Sequence, residues 1–248
     1  MNKEHVLHVF AETLRNQADA DYIASRAAWR LQLREQFLWS ALQAIEKHLK
    51  AILLFNERSA RWENLPPPKR HKEYGHDLKR LLASVKCTDR LILELPNWID
   101  DFISAIDNFG ENRYLTKSTY SLPEWLFRLD ETVWSIRRYA QSFNFHVTNS
   151  EGYSKDLRPM LLEAANNPLH RKTPSQYKPF NGFLEAVLSR STQDQARKFL
   201  VWNNQFYGSR IRRKLKYQAW TSSTTPPQER DWFKRGNWQE EIKDYIKL

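Results

Sequence analysis

The segment NRYLTKSTY, Asn112 to Tyr120, sets an arginine ahead of a run of hydroxyl side chains. A guanidinium presents a planar fork that matches two phosphate oxygens, and hydroxyls at a fixed distance could complete a grip on a phosphodiester. The segment contains neither histidine nor carboxylate. It therefore has the means to hold a phosphate and no obvious base with which to cleave one.

Other histidines could supply that base. Arg70 and His76 are separated by five residues, but a chain this rich in arginine yields about two such pairs by chance. The pair also spans a proline-rich connection. GHDL, Gly75 to Leu78, reads as a helix entry in which Asp77 favours the positive dipole end, giving His76 a structural place first and a catalytic one second. His5 and His8 have helical spacing but no third ligand at a suitable position, so they read as exposed rather than metal-binding. His48 falls in an apolar stripe and Glu46 on its polar flank, which suggests a packed imidazole and a surface carboxylate, or alternatively the lining of a dimer groove. The six glycines form neither a Walker loop nor a dinucleotide fingerprint, and no cofactor is implied. The stretch FLVWNNQFYGSRIRRKLKYQAW, Phe199 to Trp220, would on a helix align Trp202, Phe206, Arg210 and Lys214, with Arg213 and Tyr217 on the adjoining face. Cations could hold phosphates there while rings stack on unpaired bases. Packing of the aromatics on a core is the competing interpretation, and Gly208 interrupts the pattern.

These residues need elements to position them. The 248 residues are enough for one large or two small domains. Mean hydropathy is −0.74, and no window supplies the run of ~20 apolar residues that spans a membrane. Met1 to Leu14 lacks the apolar centre of a signal peptide, and Cys87 is the sole cysteine, which together predict a cytoplasmic chain without disulfides or a thiolate zinc site. Charge is uneven. Residues 1–146 hold 21 Lys+Arg against 19 Asp+Glu, a net +2, whereas residues 147–248 hold 18 against 10, a net +8. That asymmetry points to an anionic partner, nucleic acid before membrane, because aromatics are interleaved and no strongly apolar face accompanies the cations.

Apolar spacing predicts one long helix over residues 19–56, then an exposed connection through the three prolines of ENLPPPKRHKEYGHD. Further helices are expected from Asp77, across residues 91–106 with a kink at Pro96, and from Pro123 to about Phe145. The fold class is all-α: an antiparallel bundle over residues 1–148, with a basic, aromatic-rich helical extension over 149–248. The segments 157–165, 180–188, 192–220 and 238–246 are its candidate helices, with Thr192 and Gln195 at capping-box spacing.

The order DYIASR, FLWSALQAIEKHLKAILL, GHDL and then NRYL, across roughly residues 19–146, resembles the HEPN family, named for higher-eukaryote and prokaryote nucleotide-binding domains. The resemblance implies an all-α bundle, commonly a homodimer, found in bacterial toxin–antitoxin and phage-defence systems and often acting as a metal-independent endoribonuclease. Active members carry an Arg, four to six residues, then His near the start of the last bundle helix. A subgroup with nucleotidyltransferase-type antitoxins adds a Tyr two positions after that His. Arg113 matches the Arg and Tyr120 the Tyr, but Ser118 stands where the His belongs. Attack of an RNA 2′-hydroxyl on its phosphate needs a group suited to proton transfer, and an unaided serine is a poor one. Arg113 could still bind phosphate, and Tyr120 could donate a hydrogen bond or accept a nucleotidyl group. The expectation is an RNA-binding protein with a degenerate ribonuclease site. The alternatives are an active endoribonuclease that pairs Arg113 with a histidine such as His76, or an oligomerisation subunit without nucleic acid.

Overall fold

The computed structural model describes residues 3–64, 71–88, 91, 93, 95–109, 124–144, 146–148, 154–166 and 182–207. Among them the chain is predominantly helical, with eight helices and two short antiparallel hairpins. None of these helices is long and apolar enough to cross a membrane.

The long helix expected over residues 19–56 is two. Helix α1 (Lys3–Arg30) and helix α2 (Arg34–Phe55) fold back on each other through residues 31–33. Gln32 adopts φ +62°, a left-handed conformation that ends α1 without Gly or Pro. The amide of Leu33 still reaches the Ala28 carbonyl at 2.9 Å. Contacts fix the antiparallel register. Ser25 Oγ donates to the Phe37 carbonyl near the turn, Lys47 pairs with Asp21 midway, and His8 meets the Phe55 ring at the far end.

Helix α2 is the central element. Leu38, Leu42, Ile45, Leu49, Ile52 and Leu53 are fully or almost fully buried. Burying each such side chain is worth about 2 kcal/mol, which explains why this helix organises the others. Against it pack α3 (Leu78–Lys86), α4 (Asn97–Phe109) and α5 (Trp125–Arg137). Helix α4 begins after Pro96 rather than running from residue 91, because proline suits a helix start and disfavours helix in the residue before it. Helix α5 ends at Arg137, short of Phe145, in a turn where Tyr139 and Ala140 bond back to Ile136 and Arg137.

The proline-rich connection is flanked by a hairpin, β1 (Trp62–Asn64) with β2 (His71–Glu73), and a second hairpin joins β3 (His146–Thr148) to β4 (Ser154–Asp156). Helix α6 (Arg158–Asn166) follows. Helices α7 (Phe183–Ser189) and α8 (Gln195–Val201) both lie on α1. Helix α8 is capped by Asp194, whose side chain accepts from the Arg197 amide, rather than by Thr192. It stops at Val201, so the single helix expected over residues 192–220 does not form across Trp202.

Candidate functional site

GHDL behaves as a helix entry, and its construction fixes His76. Tyr74 is buried, and its hydroxyl hydrogen-bonds Ser84 Oγ at 2.8 Å, anchoring the strand side. Gly75 turns the chain at φ +56°. Asp77 then caps α3 by accepting from the Arg80 amide at 2.9 Å, a contact worth about 1 kcal/mol. Leu78 is buried, and its amide donates to Asp107 Oδ1 at 2.8 Å, tying the entry of α3 to the end of α4. Between these anchors the His76 side chain remains 53% exposed.

What His76 faces was not expected. Glu46 is buried instead of lying on the surface, and its Oε2 sits 2.8 Å from His76 Nδ1. Its other oxygen accepts from Lys50 Nζ at 2.6 Å, and Lys50 also reaches the Gly75 carbonyl at 3.2 Å. A carboxylate surrounded by the apolar side of α2 requires such partners, because an unpaired buried charge costs several kcal/mol. An ionised carboxylate only accepts, so in the neutral ring this contact would keep the proton on His76 Nδ1 and the lone pair on Nε2. Among the described residues Nε2 makes no hydrogen bond. A carboxylate that sets the tautomer of an exposed imidazole is the arrangement that equips histidine to accept a proton. Trp39, half-buried two turns earlier on α2, places its ring 6.5 Å from the imidazole, inclined at 60°. The dyad therefore borders both an aromatic ring and an ammonium.

The larger set of buried charges joins α1, α5 and residues 182–207 and does different work. Arg137 is fully buried and bidentate to Asp19, with contacts of 2.5 and 2.7 Å, and it reaches Glu185 at 2.7 and 2.9 Å. Burial opposes its charge, but Asp19 and Glu185 more than offset this and hold the guanidinium above its ordinary range. The Leu184 amide also donates to Asp19 at 3.2 Å. Gly182 allows the close approach, since a Cβ there would run into Arg137 Nη2. Nearby, Arg26 pairs with Asp130 and donates to the carbonyls of Phe199 and Trp202, satisfying the C-terminal end of α8. Tyr22 donates to Asp130 at 2.6 Å and receives Asn204 Nδ2 at 2.8 Å. These groups bond to one another below the surface. They fasten residues 182–207 to the bundle and offer a substrate no access.

His48 lies beside this network, fully buried as expected, with Asp19 Oδ1 at 3.5 Å from Nε2 and neither ring nitrogen hydrogen-bonded. Burial first, then the positive charges of Arg137 and Arg15, push its pKa well below the ordinary histidine value, so it stays neutral.

Arg113, Ser118 and Tyr120 lie outside the described residues, as do Arg70, Arg210, Arg213, Lys214 and Tyr217. Of the expected nucleic-acid stripe, Phe206 and Trp202 are among the described residues, and Phe206 faces inward. It is buried, stacked on Trp134 at 5.4 Å and close to Phe127 at 6.0 Å, so its ring serves packing. Trp202 is half-buried beneath the Arg30 guanidinium, 5.3 Å from its ring centroid. His5 is exposed, and His8 approaches Glu12 at 3.5 Å, while no group of three metal-binding side chains occurs among the described residues. Sequence reasoning missed the Glu46 partnership and Lys50. Their only signal was an i,i+4 Glu–Lys pair on a flank of α2, which says nothing of a histidine 30 residues later.

Comparison with models of known protein families, with curated proteins and with solved structures found no match.

Proposed function

We propose that this chain is a HEPN-like RNA-handling protein of a bacterial defence or toxin–antitoxin system, and that it cleaves RNA through His76 instead of through the residue at position 118. The observation that carries the reading is the His76–Glu46 contact: an exposed imidazole with its Nδ1 held at 2.8 Å by a buried carboxylate. In the reaction, the proton of a ribose 2′-hydroxyl passes to His76 Nε2 as the 2′-oxygen bonds to the adjacent phosphorus. The P–O5′ bond breaks, leaving its electron pair on the 5′-oxygen. That oxygen takes a proton from water, and the imidazolium returns one to solvent. The products are a 2′,3′-cyclic phosphate and a 5′-hydroxyl. Lys50, beside the dyad, supplies positive charge where the phosphate gains negative charge.

Arg113 is the phosphate contact in this scheme. It follows Asp107 by six residues, a length of chain that spans at most ~22 Å, and Asp107 is bonded to the entry of α3, which His76 precedes. The net +8 of residues 147–248 supports attraction of the RNA backbone. Homodimerisation, a nucleotidyltransferase-type antitoxin and modification of Tyr120 belong to the same proposal through the family resemblance.

The test is cleavage of single-stranded RNA in a chelator-containing buffer by the full chain, His76→Ala and Glu46→Gln. Loss of the imidazole should slow cleavage by about 10²–10⁴-fold with RNA affinity retained. Glu46→Gln, which leaves the ring without a carboxylate to orient it, should slow it by at least about tenfold. Binding without cleavage by the unmodified chain would favour the impaired site implied by Ser118, and neither binding nor cleavage would leave only an oligomerisation role.

A further inference from the structure

Trp62 is the one exposed tryptophan among the described residues, at 39%. Trp29, Trp98 and Trp202 are half-buried against the core, and Trp125 and Trp134 lie within it, but Trp62 joins neither group. Core packing therefore does not account for its place. What holds it is the hairpin. Trp62 stands opposite Glu73 in the β1–β2 ladder, and the Tyr74 amide donates to the Arg61 carbonyl at 2.9 Å. Arg80 of α3 fastens both strands, through Glu63 at 2.6 and 3.0 Å and through the Glu73 carbonyl at 2.9 Å. Glu73 in turn accepts from Arg61 Nε at 3.1 Å. The Arg61 guanidinium lies 4.8 Å from the centroid of the Trp62 ring and is its one ring partner among the described residues. An indole and a guanidinium held together at the surface combine a π-face with a positive charge, the two features by which proteins hold unpaired bases and their phosphates.

We propose that Trp62, with Arg61, is a stacking platform for an unpaired nucleobase of the RNA strand whose cleaved ribose lies at His76. The inference rests on the reading of the chain as an RNA-handling protein. The hairpin leads directly into the candidate site: Glu73, opposite Trp62, is followed by Tyr74, Gly75 and His76. Three residues span at most ~11 Å, and facing residues of an antiparallel pair are about 5 Å apart, so the backbones at Trp62 and His76 lie within about 16 Å of each other. A single strand bridges that distance, with the base on Trp62 a short way along from the ribose at His76. The charge fits as well, since Arg61 is exposed and the chain carries a net +10. A base inside a duplex has both faces occupied by its neighbours and cannot meet the indole without leaving the stack. The platform thus selects single-stranded RNA, and because every base has a π-face it imposes little preference for sequence.

The experiment separates this inference from the reading on which it rests. Binding of the full chain to a labelled single-stranded 2′-O-methyl oligoribonucleotide, which cannot be cleaved by 2′-oxygen attack, is followed by fluorescence anisotropy. Inorganic polyphosphate, a polyanion without bases, is measured by competition. Trp62→Ala should weaken binding of the oligonucleotide by about tenfold and leave that of polyphosphate unchanged, while Trp62→Phe, which keeps a ring, should retain most of the affinity. Thermal melting of each variant establishes that it is folded. An unchanged oligonucleotide affinity in Trp62→Ala refutes the platform even where His76-dependent cleavage is found. So does an equal loss for polyphosphate, or the absence of any binding by the unmodified chain. Self-association that is lost in Trp62→Ala while oligonucleotide affinity is kept would assign the indole to a second copy of the chain instead. If the oligonucleotide affinity depends on Trp62 but no RNA is cut, the platform stands and the catalytic reading of His76 falls.

Discussion

Replacing Glu185 by Gln tests whether residues 182–207 are integral to the bundle. Glu185 gives Arg137 two charge-assisted hydrogen bonds, at 2.7 and 2.9 Å. Arg137 is fully buried, and the Glu185 side chain is only 17% exposed. Gln preserves the shape but removes the charge, and it directs an amide N–H₂ toward the guanidinium, where two donors oppose. Breaking a buried pair costs about 3–5 kcal/mol when the partner charge is left alone. Here Asp19 still holds Arg137 through two bonds, so the loss should be about 2–3 kcal/mol, in the range of one or two charged hydrogen bonds. Glu73→Gln is the matched control. Its partner Arg61 is 3.1 Å away, but the two side chains are 53% and 69% exposed, and such pairs contribute about 0–1 kcal/mol. Urea unfolding followed by circular dichroism gives both values, provided that the slope with denaturant is unchanged. Equal losses in the two variants would refute the claim that the Arg137 clasp holds α7 to α1 and α5.

Two further outcomes follow from the packing. His48 is neutral in the folded chain because burial and the flanking Arg137 and Arg15 depress its pKa, while unfolding returns it to about 6.5, the ordinary value for histidine. Below that pH the unfolded chain binds the extra proton, so the contribution of His48 to stability is complete above about pH 6.5 and is lost on acidification, at up to about 1.4 kcal/mol per pH unit. His48→Leu should reduce the difference in unfolding free energy between pH 7 and pH 5 by about 1–2 kcal/mol, and an unchanged difference would place the acid sensitivity elsewhere. Gln32, at φ +62°, occupies a region that L-residues enter at a cost of about 1–2 kcal/mol and glycine enters freely. Gln32→Gly should therefore leave the melting temperature unchanged or raise it by a few degrees, and a fall of several degrees would argue that its side chain, not its backbone, closes the turn.

Much of the bundle could be read from the chain because several signals agreed locally. Asp77 is a capping residue followed by Leu78, Leu81, Leu82 and Val85 on one face, and α3 begins and buries those residues accordingly. The break between α1 and α2 gave no comparable signal. Residues 31–33 contain no Gly or Pro, and Leu31 and Leu33 continue an apolar pattern although both are exposed at the turn. What reverses the chain there is tertiary: Trp29 and Phe37 meet at 4.6 Å across the turn, and Ser25 bonds the Phe37 carbonyl. The end of α8 is similar. Asn204 accepts from the amides of Phe206 and Tyr207 and donates to Tyr22, replacing helical bonds with contacts to α1 that no local pattern encodes. In the candidate site, the entry that carries His76 was legible, whereas the buried position of Glu46 was not. A glutamate next to an apolar stripe ordinarily faces water, and only the later return of residues 74–77 over α2 encloses it.

The most direct measurement of the central claim is the chemical identity of the cleavage products. A defined single-stranded RNA, incubated with the full chain in a chelator-containing buffer, should yield fragments that end in a 2′,3′-cyclic phosphate by mass spectrometry. The same sequence with one 2′-deoxy residue at the cleaved position should remain intact there, and His76→Ala should leave both RNAs uncut over the same interval. Cleavage of the 2′-deoxy position, or undiminished cleavage by His76→Ala, would contradict a proton transfer from the ribose to His76.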